Sequence, residues 1–282
     1  MVWKIAGYGA LGIVVLLIAG LALLYYQGKR DPGSNGDYVA LGSSFAAGIG
    51  LGARVEGSPL VCMRTVGSYP QLLAKKAGLR LLDMTCSGST TRHILHGGQV
   101  FLGPQLDGIG PDTKLVTITT GGNDVGYIGD LMSASGSYGM LGAVLGSAPK
   151  PLAERDFAGV TASLAAIVGE VRGRAPRARV AIVTYPPVLP ETGSCAALGI
   201  SPQQADLSRQ VAAGLLEATR AAAAQSGAVL VDMASLGAGH DACSAEPWTY
   251  GARPASGTAF HPTPAGAEAT ANAVHAALFE AR

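Results

Sequence analysis

A chain of 282 residues is long enough for one large domain, and at net charge +1, with only 14% Asp, Glu, Lys and Arg, it offers no clustered basic footprint for phosphate backbones, so nucleic acid is not an expected partner. Its four cysteines form no C-x-x-C pair and have no His beside them at zinc-ligand spacing, and there is neither a G-x-G-x-x-G nor a G-K-[ST] run. No metal and no nucleotide or other cofactor is therefore expected.

The N-terminus comes first in chain order. From Ile5 to Gly28 there is no charged residue, and Leu11 to Tyr26 is dominated by Leu, Ile, Val, Ala and Tyr, about the length a bilayer demands of a helix. Residues 1–28 are read as a signal anchor crossing the cell membrane once. Gly20-Leu21-Ala22 is a passable cleavage site, so secretion after removal of the segment is the alternative, and a buried core helix is a third reading. The flanking charges, Lys4 on one side and Lys29 and Arg30 on the other, give little asymmetry from which to read orientation. The polar, breaker-rich stretch Gln27 to Gly36 supplies a tether over residues 29–36, and residues 37–282 form the folded domain.

Within that domain, apolar runs bounded by turn residues recur at Tyr38 to Leu41, Leu79 to Met84, Leu115 to Thr119, Val180 to Tyr185 and Ala228 to Asp232, and read as buried strands. Helical patterns lie between and after them, at Tyr69 to Lys76, Phe157 to Arg172, Pro202 to Gln225 and Pro264 to Ala281. The alternation predicts an α/β fold of three layers, a parallel sheet between helices. Asp130 to Pro151 holds several Gly and Ser with poor periodicity and reads as an irregular insertion, either a lid or acyl-binding wall or a loop that merely covers the domain. The four cysteines, Cys62, Cys86, Cys195 and Cys243, allow three pairings. Cys62 with Cys86 and Cys195 with Cys243 is favoured because each bridge then closes a loop within its own half of the chain. Such bridges persist outside the cytoplasm and would place the domain there; four reduced, buried thiols are the alternative.

Chemistry gathers at the strand ends. The first strand runs into Gly42-Ser43-Ser44, where a small residue permits a sharp turn and a hydroxyl enters the crevice beyond the carboxyl ends of a parallel sheet. Alone, a serine there is more often a helix N-cap. The second strand ends in Thr85-Cys86-Ser87-Gly88, whose glycine offers a bare main-chain N–H, and the third in Gly121-Gly122-Asn123-Asp124, whose Asn123 presents an amide donor. His261 stands in Phe260-His261-Pro262-Thr263-Pro264, just ahead of the last helix. His93, His96, His240 and His275 carry no such context and read as structural or solvent-facing, and Asp124 and Asp232 as braces of their turns. No G-x-S-x-G elbow occurs, and Ser147-Ala148-Pro149-Lys150 matches S-x-x-K by chance, without the partner motifs that chemistry needs.

These four blocks, in this order at strand ends, resemble the SGNH hydrolases, also known as GDSL esterases and lipases, and in particular the secreted actinobacterial type. The likeness runs from Asp37 to the C-terminus. It implies a flavodoxin-like five-stranded parallel sheet of order 2-1-3-4-5. It also implies Ser44 as nucleophile, His261 as base, and an oxyanion hole formed by the Ser44 N–H, the Gly88 N–H and the Asn123 side chain. The implied activity is hydrolysis of carboxylic esters through an acyl-enzyme, with a lipid-like or acylated envelope component as a substrate class for an anchored enzyme. An acyltransferase acting on an envelope glycan or glycolipid would use the same nucleophile, and a catalytically dead binding module is a rival from another class.

Two positions depart from the family. Ser43 replaces the aspartate of the first block, and Thr258 replaces the aspartate that usually lies three residues before the histidine. The group that orients His261 is thus expected to be a main-chain carbonyl near Thr258, with Asp241 as the competing orienter.

Overall fold

The computed structural model describes residues 2–138 and 149–280, giving the backbone alone for 2–11. A single 28-residue helix, α1 (Val2–Lys29), precedes the domain. From Ile13 to Tyr26 its large apolar side chains stand mostly exposed, because every face of the helix is apolar and the domain covers almost none of it. Residues 12–29 have a mean hydropathy of 1.6, enough for a bilayer by length and composition. The segment after α1 runs against the domain: the Ser34 carbonyl lies where a Cβ on Gly110 would fall, and Gly36 packs on Leu82.

Five parallel strands follow, β1 (Tyr38–Gly42), β2 (Leu81–Asp83), β3 (Leu115–Thr119), β4 (Arg179–Val183) and β5 (Val229–Val231), in the order β2-β1-β3-β4-β5. The period of two in their side chains builds two cores. Val39, Leu41, Val116, Ile118, Val180 and Ile182 enter one; Tyr38, Ala40, Leu115, Ala181, Val183 and Val231 enter the other. On the first face lie α4 (Thr91–His96), α6 (Phe157–Arg174) and α7 (Pro202–Ser226), with Ile94, Leu164, Ile167, Val171, Val211 and Leu215 buried. On the second lie α3 (Tyr69–Ala77) and α9 (Pro264–His275), burying Leu73, Ala271 and Val274. The three expected layers are present.

The α-helix expected over Pro264 to Ala281 gives way at His275 to a π-helical turn, Ala276–Glu280. Short helices that periodicity does not reveal, α2 (Ser44–Ala47), α5 (Tyr127–Ala134) and α8 (Met233–Leu236), sit at strand ends. Thus α5 occupies the start of the stretch expected to be an irregular insertion, and residues 139–148, the middle of that insertion together with Ser147, lie outside the described residues. Buried Arg155 fastens this region: its Nη1 donates to the Val125 carbonyl, and its Nη2 to Asp130 (2.5 Å) and the Lys150 carbonyl (2.5 Å). The disulfides join Cys62 to Cys86 and Cys195 to Cys243, the pairing expected from loop closure.

Candidate active site

At the carboxyl end of β1 the chain turns on Gly42, whose φ is +150°, with the Thr119 carbonyl where a Cβ would lie. Only glycine fits there without displacing β3. Ser43 then caps α2, and Ser44 opens it, so that the Ser44 N–H belongs to a first turn whose amides have no intrahelical acceptor. The two serines diverge. Ser43 Oγ pairs with the Tyr185 hydroxyl (3.1 Å), which also accepts the Gly122 N–H (3.3 Å), whereas Ser44 Oγ meets His261 Nε2 at 2.8 Å. These two partners are 217 positions apart in sequence. Where the family carries an aspartate at position 43, this chain has a hydroxyl already satisfied by Tyr185.

His261 is held by its own loop. Its N–H donates to the Thr258 carbonyl (3.1 Å), its carbonyl accepts from Tyr250 (2.9 Å), and Thr263 N–H donates to the Trp248 carbonyl (2.9 Å). The preceding residue, Phe260, is fully buried with a φ of +57°, a conformation that costs a bulky residue strain and persists only where its surroundings impose it. The ring's other nitrogen, Nδ1, lies 2.7 Å from the Ala259 carbonyl. A carbonyl only accepts, so Nδ1 carries the proton and Nε2 is left with a lone pair toward Ser44 Oγ. The expected carbonyl is therefore that of Ala259. Thr258 contributes instead the acceptor for the His261 main chain.

Asp241 is engaged elsewhere, accepting the Cys243 N–H at 2.8 Å. Burial, with no carboxylate against the ring, lowers the His261 pKa to about 4, and the Ala259 carbonyl offsets this only in part. The imidazole is thus neutral across the ordinary pH range.

Gly88 turns with φ +81°, and the Ser89 N–H behind it donates to the Cys86 carbonyl (3.0 Å). Asn123 Nδ2 donates one hydrogen to the Ser89 carbonyl (2.8 Å), leaving its second amide hydrogen for the crevice. Asp124 ties the same turn to α4, accepting from Thr91 N–H at 3.1 Å and Thr91 Oγ1 at 2.6 Å.

One residue that sequence reasoning missed joins these blocks. Buried Gln105 accepts the Gly42 N–H (2.8 Å), donates to the Gly42 carbonyl (3.0 Å) and donates to Ser89 Oγ (2.9 Å). A single amide thereby fixes the peptide just before the two serines to the turn carrying Gly88, and through Ser89 to Asn123.

The remaining histidines are occupied outside this site. His93 accepts the Thr90 N–H at the start of α4 (3.1 Å), His240 stacks on Trp248, and His275 meets Glu280, while His96 is exposed. Asp232 caps α8 and pairs with Arg220 (2.6 Å). Among the described residues no cluster of His, Cys, Asp and Glu is arranged to hold a metal ion. A cavity of about 880 Å³ that borders neither Ser44 nor His261 lies between the end of α1 and the β2 edge of the sheet.

Residues 40–269 match the model of the GDSL-like Lipase/Acylhydrolase family. The chain belongs to this family. It is 37% identical to Lipase 2 of Streptomyces coelicolor over 217 residues, covering 74% of this chain and 73% of that protein. It is 33% identical to a lipase of Streptomyces rimosus over 228 residues, 80% of this chain and 81% of the relative. Among solved structures, the extracellular lipase of Streptomyces rimosus superposes with a TM-score of 0.69 at 29% identity, over 85% of this chain and 98% of that one. Phospholipase A1 of Streptomyces albidoflavus gives 0.65 at 27%, over 88% and 99%. This GDSL-like lipase is accordingly a carboxylic ester hydrolase with the actinobacterial SGNH fold, and its N-terminal apolar helix fits either secretion or a signal anchor.

Proposed function

We propose that the chain hydrolyses carboxylic esters through an acyl-enzyme on Ser44. The observation that carries this reading is the 2.8 Å hydrogen bond between Ser44 Oγ and His261 Nε2, with Nδ1–H engaged by the Ala259 carbonyl. As Ser44 Oγ attacks the ester carbonyl carbon, its proton passes to Nε2. The carbonyl oxygen becomes an oxyanion facing the Ser44 N–H, the Gly88 N–H and the free hydrogen of Asn123 Nδ2. Collapse breaks the bond to the alcohol, which leaves with the proton from Nε2. A water then repeats the sequence in reverse: His261 takes its proton, the hydroxide adds to the acyl carbon, and the acid departs as Ser44 recovers its hydrogen.

The imidazolium formed at each half-step faces a neutral carbonyl rather than a carboxylate. Its stabilisation falls to the carbonyl dipole and the enclosing protein, and the low pKa makes His261 available as a base from weakly acidic pH upward. Residues 1–28 serve as the signal anchor, 29–36 link it to the domain, and 37–282 form the catalytic domain on the extracytoplasmic side, where both disulfides persist. The names of the relatives, lipase and phospholipase A1, favour a lipid-like ester and water as acceptor.

A fluorophosphonate probe tests the reading. The unsubstituted chain labels at Ser44, and Ser44→Ala neither labels nor turns over a short p-nitrophenyl ester. Labelling at Ser43 or no labelling at all rejects the nucleophile, the latter leaving the binding-module alternative. Transfer of the acyl group to an added sugar alcohol faster than to water identifies the acyltransferase instead.

A further inference from the structure

We propose that an apolar rim of Leu60, Met63, Val100 and Phe101, set around the last turns of α1, docks into the surface of the bilayer leaflet from which α1 emerges, and holds the oxyanion turn against it. The inference rests on the reading of α1 as an anchor and of Ser44 as the nucleophile of an ester hydrolase, and adds to them the surface by which lipid is approached.

Each of the four residues is 41 to 44% exposed; exposure of single apolar residues is common, and what sets these apart is that they gather on two loops attached to the end of one apolar helix. Their backbone is unusual as well. The described residues include four non-glycine positions with positive φ: Phe260 beside His261, and Met63 (+50°), Val100 (+45°) and Phe101 (+68°) in the rim. A β-branched valine held in the left-handed region is strained, and strain of this kind collects where a segment has a task.

Continuity with α1 identifies the occupant. Both loops of the rim are attached to the helix end: Leu60 N–H donates to Gln27 Oε1 (3.0 Å), and the Phe101 ring meets Tyr25 edge-on at 5.7 Å. Gly28 lies so close to the Phe101 main chain that no Cβ would fit. Tyr25 and Tyr26, followed by Lys29 and Arg30, are the residue types that settle at the boundary between hydrocarbon and headgroups. At about 1.5 Å of rise per residue, Tyr25 stands roughly 6 Å on the membrane side of Lys29. Phe101, in contact with Tyr25, shares that depth, so an anchored helix carries the rim to the lipid surface as a matter of geometry.

The same two loops are fastened to the site. The Leu60–Met63 loop contains Cys62, bridged to Cys86, and Gln99 at the foot of the other loop donates through Nε2 to the Ser87 carbonyl at 2.7 Å. Cys86 and Ser87 are the residues just before Gly88. The cavity beside the end of α1 is of mixed character, with Leu23, Tyr26 and Leu102 next to Lys29, Arg30, Arg54 and Glu56, and it reaches Cys86 just before the oxyanion turn.

The test uses the full chain reconstituted in vesicles of phosphatidylcholine and phosphatidylglycerol. In Phe101→Trp, the emission added relative to the unsubstituted chain should be shifted to the blue and reduced by more than half when the lipids carry bromine on their acyl chains. Val100→Ser with Phe101→Ser should keep its turnover of a soluble p-nitrophenyl ester within about twofold, yet lose about five- to tenfold on a long-chain ester dissolved in the same bilayer. Undiminished emission with brominated lipid overturns the proposal, and a concentration-dependent dimer in detergent would then assign the rim to a second copy. Equal loss on both esters also overturns it, since the rim would then act on folding or chemistry. The underlying readings fail separately: release of the chain by alkaline carbonate rejects the anchor, and absence of soluble-ester turnover in the unsubstituted chain rejects the hydrolase, while the quenching measurement still reports docking.

Discussion

The two halves of the proposed site are held by different means. On the serine side, side chains add to main-chain bonds such as Ser43 N–H to the Thr119 carbonyl and Cys86 N–H to the Gly42 carbonyl: Gln105 bonds Gly42 and Ser89, Asn123 bonds the Ser89 carbonyl, and Asp124 bonds Thr91. On the histidine side the restraints are main-chain groups, with the Ala259 and Thr258 carbonyls fixing the ring and its peptide, and residues 248–250 pairing with the loop. Side-chain restraints can be removed one at a time by substitution. A main-chain carbonyl survives any change of side chain that leaves the loop's path intact, so the two halves should respond differently to mutation.

The largest effect expected is loss of the base. His261→Ala should lower kcat by at least about 10⁴, the scale seen when a member of a serine–histidine unit is removed, in a variant whose circular dichroism remains native. On the serine side, Asn123→Ala should lower kcat by about 10²–10³ with KM little changed, because the donor acts on developing charge. Gln105→Met removes three hydrogen bonds and leaves the buried Gly42 N–H without an acceptor; kcat should fall by about tenfold, as slight misplacement of reacting groups suffices for that. A purely structural glutamine would lower the melting temperature and leave kcat alone. If the histidine side is main-chain-held, Thr258→Ala and Asp241→Asn should each stay within about tenfold of the parent, a barrier change of roughly 1.4 kcal/mol or less. Collapse of kcat in folded Asp241→Asn would restore a carboxylate to the mechanism and erase the contrast.

Acid titration acts on stability as well as on rate. Burial lowers the His261 pKa to about 4 from the ordinary imidazole value of about 6.5, so between those values the unfolded chain binds a proton that the folded chain refuses. Stability from this group is therefore complete above pH 6.5 and is lost as pH falls toward 4. The acid limb of kcat/KM should lie near the lower value. A limb near 6.5 would indicate an open, solvated ring rather than the buried one described.

Much of this architecture was legible in the residues. The strands could be read because their apolar runs are bounded by Gly, Pro, Asp and Asn, although β2 is shorter in the sheet, Leu81–Asp83, than the run from Leu79 to Met84. Ser44 and His261 stood out only as members of four blocks in a fixed order at strand ends that resemble the SGNH hydrolases; a serine after a strand or a histidine before a helix is ordinary on its own. Helices of four to eight residues, such as α2 and α5, are too short to display a period of 3.6. Gln105 was invisible for a different reason: its partner Gly42 is 63 positions away, and nothing local distinguishes a glutamine that reaches a distant peptide from one in water. The Ala259 carbonyl leaves no mark at all, and the missing aspartate at Thr258 was the only pointer to it.

That last bond bears on how relatives of this chain are recognised. Every amino acid possesses a carbonyl, so the acceptor facing Nδ1 is written into the course of the loop and not into a letter of the alphabet. The side chain at position 258 takes no part in that contact, and a search that demands aspartate three places before the histidine would pass over a chain built this way. A criterion fitted to the structure would ask instead whether the residue before the histidine adopts the left-handed turn of Phe260, which aims the preceding carbonyl at the ring.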